Sequence, residues 1–486
     1  MTVTPQYNLE ALAKKDLLEK GFIPDYPKAV MEETENIKKP SLPIPEIPAK
    51  DMRSVLWFSL DNDDSYDLDQ LTYAETLANG NYRILVAIAN VDFLVKKNSA
   101  IDNRAANNTT SIYTPTKNFP MLPEKLSTNL TSLNPEEDRL SMVFEGILSA
   151  EYLLQSYSIY QAYVNNHAKL AYDGVSDWLE GRINHQKIES IKGLDEQVRL
   201  QDAIAQNLAK LRHTQGALSL ETIEPHTILK GGIPVGIDIM PKNRGRLLIE
   251  NFMILANTIS ARFAEDRKLP FFRRVVVVPK RWDKIIDIAK KYGTVLPDSP
   301  DSIPLEKFLA GQRQADPISF PDLSLTIIKL LGSGEYRVFY PGKPSPGHFG
   351  LALTDYTHST APNRRFPDLI VQRILLATLN NEKAPYSERE LENLAFHCTE
   401  KEDDAEKVQR KMRKSAAALV LSSSIGKEFN AIVTGTGEKG TWVRILEPPV
   451  DGKLVKEKTS VDVGDKIKVK LVHTDILNGF IDFIAI

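Results

Sequence analysis

Residues 59–70 read SLDNDDSYDLDQ, and Asp61, Asp63, Asp64, Asp67 and Asp69 all fall within nine positions of that stretch. Carboxylates gathered this closely raise one another's pKa, and a bound cation offsets the repulsion. Oxygen-only donors select a hard divalent ion, Mg²⁺ with Mn²⁺ as the alternative. A solvated acidic loop without a ligand is the other reading of the same residues. An EF-hand is excluded, because the Asp spacing does not match and the turn glycine is missing. The flanks favour a built site. Leu56, Trp57, Phe58 and Leu60 have the composition of a strand. Downstream, LTYAE leads to a turn at Gly80, and Ile84–Ala89 with Val91 form the continuous apolar run of a buried strand. An acidic loop between two core strands has its position fixed from both sides.

The 486 residues suffice for a main domain with one or two smaller ones. Lys and Arg number 61 against 64 Asp and Glu, a formal net charge of -3. That balance does not exclude nucleic acid, whose binding depends on a local positive channel and not on the total. The single cysteine, Cys398, excludes a disulfide framework and a thiolate-rich zinc site, and is expected to be a small buried hydrophobe. The sequence has no N-terminal apolar leader and no run of about 18 apolar residues, so the expectation is a soluble, cytoplasmic monomer with no membrane partner.

Residues 1–50 hold one helical stretch ending at Gly21, followed by Pro24, Pro27, Pro40, Pro43, Pro45 and Pro48. They read as a helix and an extended arm without a core of their own. Between 111 and 142 lies SIYTPTKNFPMLPEKLSTNLTSLNPEEDRLSM, a non-repetitive stretch in which Tyr113 is open to either core packing or base stacking. LIENFMILANTISARFAED is the clearest helix, with Leu248, Phe252, Leu255, Ile259 and Phe263 on one face. Glu250 and Asn257 lie about two turns apart on it, pointing either to a pocket or to ordinary helix surface. From Lys242 to Arg281 ten basic residues face three acidic ones, the wall of an anionic ligand or a solvated face.

HFGLALTDYTHSTAPNRRFPDLIVQR, residues 348–373, predicts a strand over 349–353, a polar loop, and a helix from about Asp368. Arg364 and Arg365 then stand before a helix start, where guanidinium forks and free N–H groups suit a phosphodiester. Pairing with Asp368 is the alternative. A long charged helix follows from Glu388 to Lys414. The last sixty or so residues hold five short strands with Gly-rich turns, which predicts a closed barrel of the OB type. On it Trp442 and Arg444 are candidates to receive single-stranded nucleic acid.

Taken together, these motifs resemble the ribonuclease II and ribonuclease R family. The family's opening motif is an aspartate, five residues, a second aspartate, one residue, and an adjacent pair. It falls here on Asp61, Asp67 and Asp69, with Gln70 at the last position. LVAIANV, TQGALSL, LIENFMILAN, the 111–133 stretch, the arginine block and the final barrel add to the likeness over residues 51–486. The resemblance implies an α+β architecture: an N-terminal helix and arm over 1–50, an RNB-type catalytic domain over 51–420, and an S1-type OB-fold barrel over 425–486.

It further implies a metal-dependent 3′-to-5′ exoribonuclease that hydrolyses single-stranded RNA, or RNA with a 3′ overhang, to nucleoside 5′-monophosphates. Asp61, Asp67, Asp69 and Gln70 would hold Mg²⁺, and Asp69, Arg364 and Arg365 would serve catalysis. Tyr113, Glu250, Asn257, Trp442 and Arg444 would contact RNA. The departures from the family pattern are all acid to amide: Gln70, Asn90, Asn251 and Gln409. They leave a second reading open, an RNA-binding protein of the same fold that is weak or inactive as an enzyme. The stretch before residue 51 is also too short for the two cold-shock barrels usual in the family. The expectation is that the end barrel alone guides the strand.

Overall fold

The computed structural model describes residues 7–40, 48–223, 225–239, 243–437, 440–456, 461 and 463–486. At its centre is a seven-stranded sheet. Its strands are β1 (Lys50–Asp51), β2 (Phe58–Asp61), β3 (Gln70–Thr76), β4 (Tyr82–Ala89), β5 (Asp138–Leu148), β6 (Leu154–Asn165) and β7 (Ala168–Ala171). Their spatial order is β1-β6-β5-β4-β3-β2-β7, antiparallel except for the two outermost pairs. β4 lies in the middle, and Ile84 through Ala89 are buried in succession. That is why its sequence is continuously apolar: each aliphatic side chain gains about 1.5–3 kcal/mol from full burial on either face. Gly80, at φ 81°, makes the turn into it.

β2 and β3 pair only through Phe58 and Thr72 and then diverge. The acidic loop fills the divergence, so Asp61 ends one strand and Gln70 begins the other. Helices Leu194–Thr214, Arg244–Asp266 and Phe366–Leu379 share one hydrophobic core with the sheet. The second of these carries the expected apolar face, since Leu248, Phe252, Leu255, Ile259 and Phe263 are all buried. Gly245 lets its first turn close on Tyr172, where a Cβ would meet the Tyr172 carbonyl oxygen at 2.7 Å.

Five strands from Glu428 to Ala485 form the expected closed barrel. The long helix Glu388–Leu421 runs into it, its Ala416, Ala418 and Leu421 joining the barrel core. Cys398 is buried, as its lone occurrence suggested.

Three local expectations are corrected. Phe349–Leu351 is a turn of 3-10 helix and not part of a strand: His348 Nδ1 accepts the Leu351 N–H, and Ala352 adopts a left-handed conformation that ends the turn. The helix expected from about Asp368 starts at Phe366, because Pro367 suits a first helical turn. The N-terminal arm holds a second helix, Lys28–Asn36, and shares a core with the long helix. Pro43 and Pro45 lie outside the described residues. Among the described residues no helix is long and apolar enough to cross a membrane.

Candidate active site

Two loops that are almost three hundred residues apart in sequence meet at Asp69. Its carboxylate is 2% exposed and accepts the Arg364 Nε–H at 3.0 Å and the Asn363 backbone N–H at 3.3 Å. Burial pushes the Asp69 carboxyl up to about 7; the charge of Arg364 opposes this, and Asp67 adds to it. Asp61 is also pushed above the usual carboxylate range by burial, against the Asn62 N–H that it accepts at 2.7 Å. Asp67 accepts the Tyr113 hydroxyl at 3.4 Å. Gln70 is buried, and its Nε2 reaches back 3.4 Å to the Leu60 carbonyl across the divergent strands. Asp63 and Asp64 point outward, exposed.

The arginine loop is clamped by the segment that carries Tyr113. The Ser111 N–H donates to the Arg364 carbonyl at 2.8 Å, and the Phe366 N–H to the Thr109 carbonyl at 2.7 Å. Asn363 is fully buried and its side-chain oxygen accepts the Thr131 hydroxyl. The two adjacent arginines have separate fates. Arg364 keeps 42% of its side chain exposed. Arg365 donates to Asp368 at 2.7 Å, the same oxygen that holds the Ala361 N–H at 2.8 Å, so it braces the loop from within.

Asn257 is buried: its side-chain oxygen accepts the Ser359 N–H and hydroxyl at 2.8 and 2.9 Å, and its Nδ2 donates to the Tyr356 hydroxyl at 3.3 Å. It shapes the loop leading to Arg364 and has no side toward a ligand. Glu250 is exposed and borders a cleft of about 930 Å³ with Arg212, Arg244 and Arg246. Arg246 ties that cleft to the acidic loop, donating to the Asn62 side chain at 2.8 Å. Sequence reasoning missed Arg246, Asn62 and Asn363. The basic excess after Lys242 was the only trace of the first.

Two of the other amides read as departures are held internally: Asn90 donates to Gln161 at 3.1 Å, and Asn251 accepts from Arg212 at 2.6 Å. Trp442 is half-buried on the barrel. Arg444, expected on an RNA-facing surface, is instead turned to the main domain. Val443 and Ile445 fill the barrel, so the alternation sends Arg444 outward against Asp322, at 2.8 Å, with Asp451 at 3.1 Å.

For a cation, the donors have the right chemistry: carboxylate and amide oxygens, with the charge of Asp67 raising the pKa of both Asp61 and Asp69. Among the described residues no three His, Cys, Asp or Glu side chains converge on a metal-holding position. The set fits one hard ion held partly by water, and not a closed protein cage.

The RNB domain model matches residues 49–381, and the RNase II-type exonuclease C-terminal S1 domain model matches 427–485. The chain is similar to ribonuclease R of Escherichia coli (strain K12), 30% identical over 449 residues covering 88% of this chain and 53% of that protein. It is also similar to ribonuclease R 1 of Lactococcus lactis subsp. lactis, 29% identical over 507 residues covering 98% and 60%. The chain thus spans little more than half the length of these relatives. Among solved structures it is similar to Mycoplasma genitalium RNase R in complex with ribose methylated single-stranded RNA, with a TM-score of 0.89 at 23% identity, covering 98% of this chain and 78% of that one. It is similar in fold also to yeast Ssd1, a pseudonuclease, with a TM-score of 0.73 at 16% identity, covering 96% and 57%. With the RNB model matched over most of its length, the chain belongs to the ribonuclease II and ribonuclease R (RNB) family.

Proposed function

We propose that this chain is a Mg²⁺-dependent 3′-to-5′ exoribonuclease acting on single-stranded RNA or a 3′ overhang and releasing nucleoside 5′-monophosphates. The observation that carries this is the Asp69–Arg364 pair, in which the carboxylate is buried and the guanidinium stays open. Arg364 uses Nε on Asp69, which leaves the two Nη groups as a fork for the oxygens of a phosphodiester. Asp69 therefore aims the arginine. Arg365 keeps the loop rigid through Asp368, so the fork does not have to be reordered at each turnover.

Asp61, Asp67 and Asp69 would hold the Mg²⁺ in part through intervening water, with the Gln70 amide oxygen as a weaker donor; Mn²⁺ is the alternative ion. When bound, the ion activates water and neutralises charge on the reacting phosphate. The Tyr113 ring would stack on a terminal base, and Glu250, at the wall of the basic cleft, would accept a ribose 2′-hydroxyl, which separates RNA from DNA. The relatives named ribonuclease R support the same substrate class.

The test is a time-resolved gel of 5′-labelled RNA with Mg²⁺ or Mn²⁺. A ladder of shortening products, absent in Asp69→Asn, is expected. Intact RNA that nonetheless stays bound would overturn the enzyme in favour of the second reading, RNA binding without turnover. The neutral Gln70 at the acidic site is the observation that favours this alternative.

A further inference from the structure

We propose that the N-terminal arm is the seat of Tyr113, with Tyr26 and Arg104 as the positioning residues that set its ring in the site. This inference rests on the reading of Tyr113 as an RNA contact.

Tyr113 sits on a hairpin of two residues per strand, Ile112–Tyr113 against Asn118–Phe119. So short a hairpin has no stability of its own. Ser111 ties it to the arginine loop on one side, and behind it lie the arm and the long helix. Ile112 and Phe119 point away from the site into a cluster with Ala13, Leu17 and Phe22 of the arm and Val408 and Met412 of the long helix. Phe22 follows the first helix, Leu9–Glu19, so the same turn that ends that helix delivers the ring under the hairpin.

The polar contacts act on the return strand. The Tyr26 hydroxyl lies 2.9 Å from the Pro120 carbonyl and 2.8 Å from that of Leu122. Arg104 is 3% exposed and stacks on the Tyr26 ring at 4.0 Å. One of its Nη groups donates to the carbonyls of Met121 and Pro120 at 2.7 and 3.1 Å, and the other to that of Ile23 at 2.7 Å. A single guanidinium thus joins the arm to the segment behind Tyr113. Asn108 repeats the connection, exchanging two hydrogen bonds of 2.9 Å with the Ile23 backbone. At the tip, Lys117 adds a solvent-exposed contact to Glu10 at 2.6 Å.

These carbonyls have no partner in regular structure, because Pro120 and Pro123 break it. Without Tyr26 and Arg104 the carbonyls of Pro120 and Met121 would lose these hydrogen bonds, leaving the Met121 N–H on the Ser111 hydroxyl at 2.8 Å as the remaining tie, and the two-residue hairpin would be held less firmly in place. The effect would fall first on the ring's position, since Asp69 stands next to the sheet strand that begins at Gln70 and Arg364 leads into the helix that begins at Phe366.

The test is equilibrium binding by the full chain in the presence of a chelator, so that no cleavage intervenes, read by fluorescence anisotropy. The probe is a labelled RNA of about five nucleotides, short enough that every contact near the site counts; a strand of about twenty can shift register and bind elsewhere. Tyr113→Ala is expected to weaken the short RNA about tenfold, within the range of one lost base stack. Tyr26→Phe, which keeps the ring on Arg104 and removes only the hydroxyl, should weaken it about threefold, and Tyr26→Ala more. The variant carrying both Tyr26→Phe and Tyr113→Ala should bind as Tyr113→Ala alone does, because the arm acts through the ring.

Normal short-RNA affinity in both Tyr26 variants, alongside a weakened Tyr113→Ala, overturns the role of the arm. So does an additive double variant. If Tyr113→Ala itself binds normally, the RNA-contact reading of Tyr113 has failed, and the inference falls with it.

Discussion

Among the arginines that meet nearly buried aspartates, Arg364 and Arg444 differ in what water can reach. Arg364 donates to Asp69 at 3.0 Å with 42% of its side chain exposed. Arg444 stands 2.8 Å from Asp322 with 8% exposed. Burial pushes both carboxyls above their ordinary range, and in both the arginine's charge works against that. The surroundings then separate them. Arg444 is closed between Asp322 and Asp451 and has nothing left to offer a ligand, so the pair joins the barrel to the main domain. Arg364 makes one charged contact through Nε and keeps its fork in solvent. The same two residue types give a structural joint in one place and an arginine left open to solvent in the other, and the exposed fraction of the side chain marks the difference.

The largest effects should come from breaking each pair. Asp69→Asn keeps the shape but removes the charge that aims Arg364; cleavage of labelled RNA should fall by about a thousandfold or more, with RNA binding retained. Arg364→Ala should lower turnover by about a hundred- to a thousandfold, read as kcat under saturating RNA. Arg444→Met should do the reverse. It leaves Asp322 buried and alone, so denaturant unfolding should show a loss of about 3 kcal/mol, while turnover per folded molecule stays near the parent value. Adding Asp322→Leu should recover most of that stability, because the stranded charge is gone. A large drop in turnover for Arg444→Met would erase the distinction between the two pairs.

That distinction was only half legible in the sequence. The strands around the acidic loop and the five of the barrel were plain, because their periodicity is local: β4 is buried on both faces, and the barrel strands alternate. The loop itself was legible as a concentration of charge. What no local pattern could give was which of two adjacent arginines stays free, since Arg364 and Arg365 are separated by the position of Asp368 one helical turn later and of Asp69 almost three hundred residues earlier. Arg444 was misplaced for a similar reason. Its outward alternation was readable, but the domain that covers that face was not. Asn257 was placed against RNA and the second arm helix was missed because their partners, Ser359 for the first and the main core around the sheet for Val30 of the second, are distant in sequence.

A smaller effect follows from the Asp69 carboxyl. In chelator, its folded pKa of about 7 stands above the ordinary 3.8. The folded state therefore favours the protonated form, so this group stabilises the fold below about pH 4, and that contribution is lost as pH rises toward 7. Melting temperature in chelator should fall over that interval, and Asp69→Asn should flatten the slope. The pair at Asp322 shifts in the same direction, so Asp322→Asn is the matching control at the joint. Added Mg²⁺ should reduce the slope due to Asp69, the proposed ligand, and leave the one due to Asp322, which is closed against Arg444.

The smallest effect concerns Gln70, and it probes how far the acidic site depends on Arg364 for its countercharge. The amide is buried where the two strands diverge, with Nε2 on the Leu60 carbonyl. Gln70→Asp would place another carboxylate among Asp61, Asp67 and Asp69 and remove that donor. Without a bound metal ion the added charge has Arg364, with Arg246 at the loop's edge, to offset four carboxylates, so the variant should melt lower than the parent in chelator. With Mg²⁺ the same charge becomes a ligand, and metal affinity should rise about tenfold. The melting temperature of the variant should therefore respond more steeply to Mg²⁺ than that of the parent, by the ordinary linkage of binding to folding. Equal responses would mean that position 70 does not face the ion, and that Arg364, and not a cation, is the main counterweight to the acidic loop.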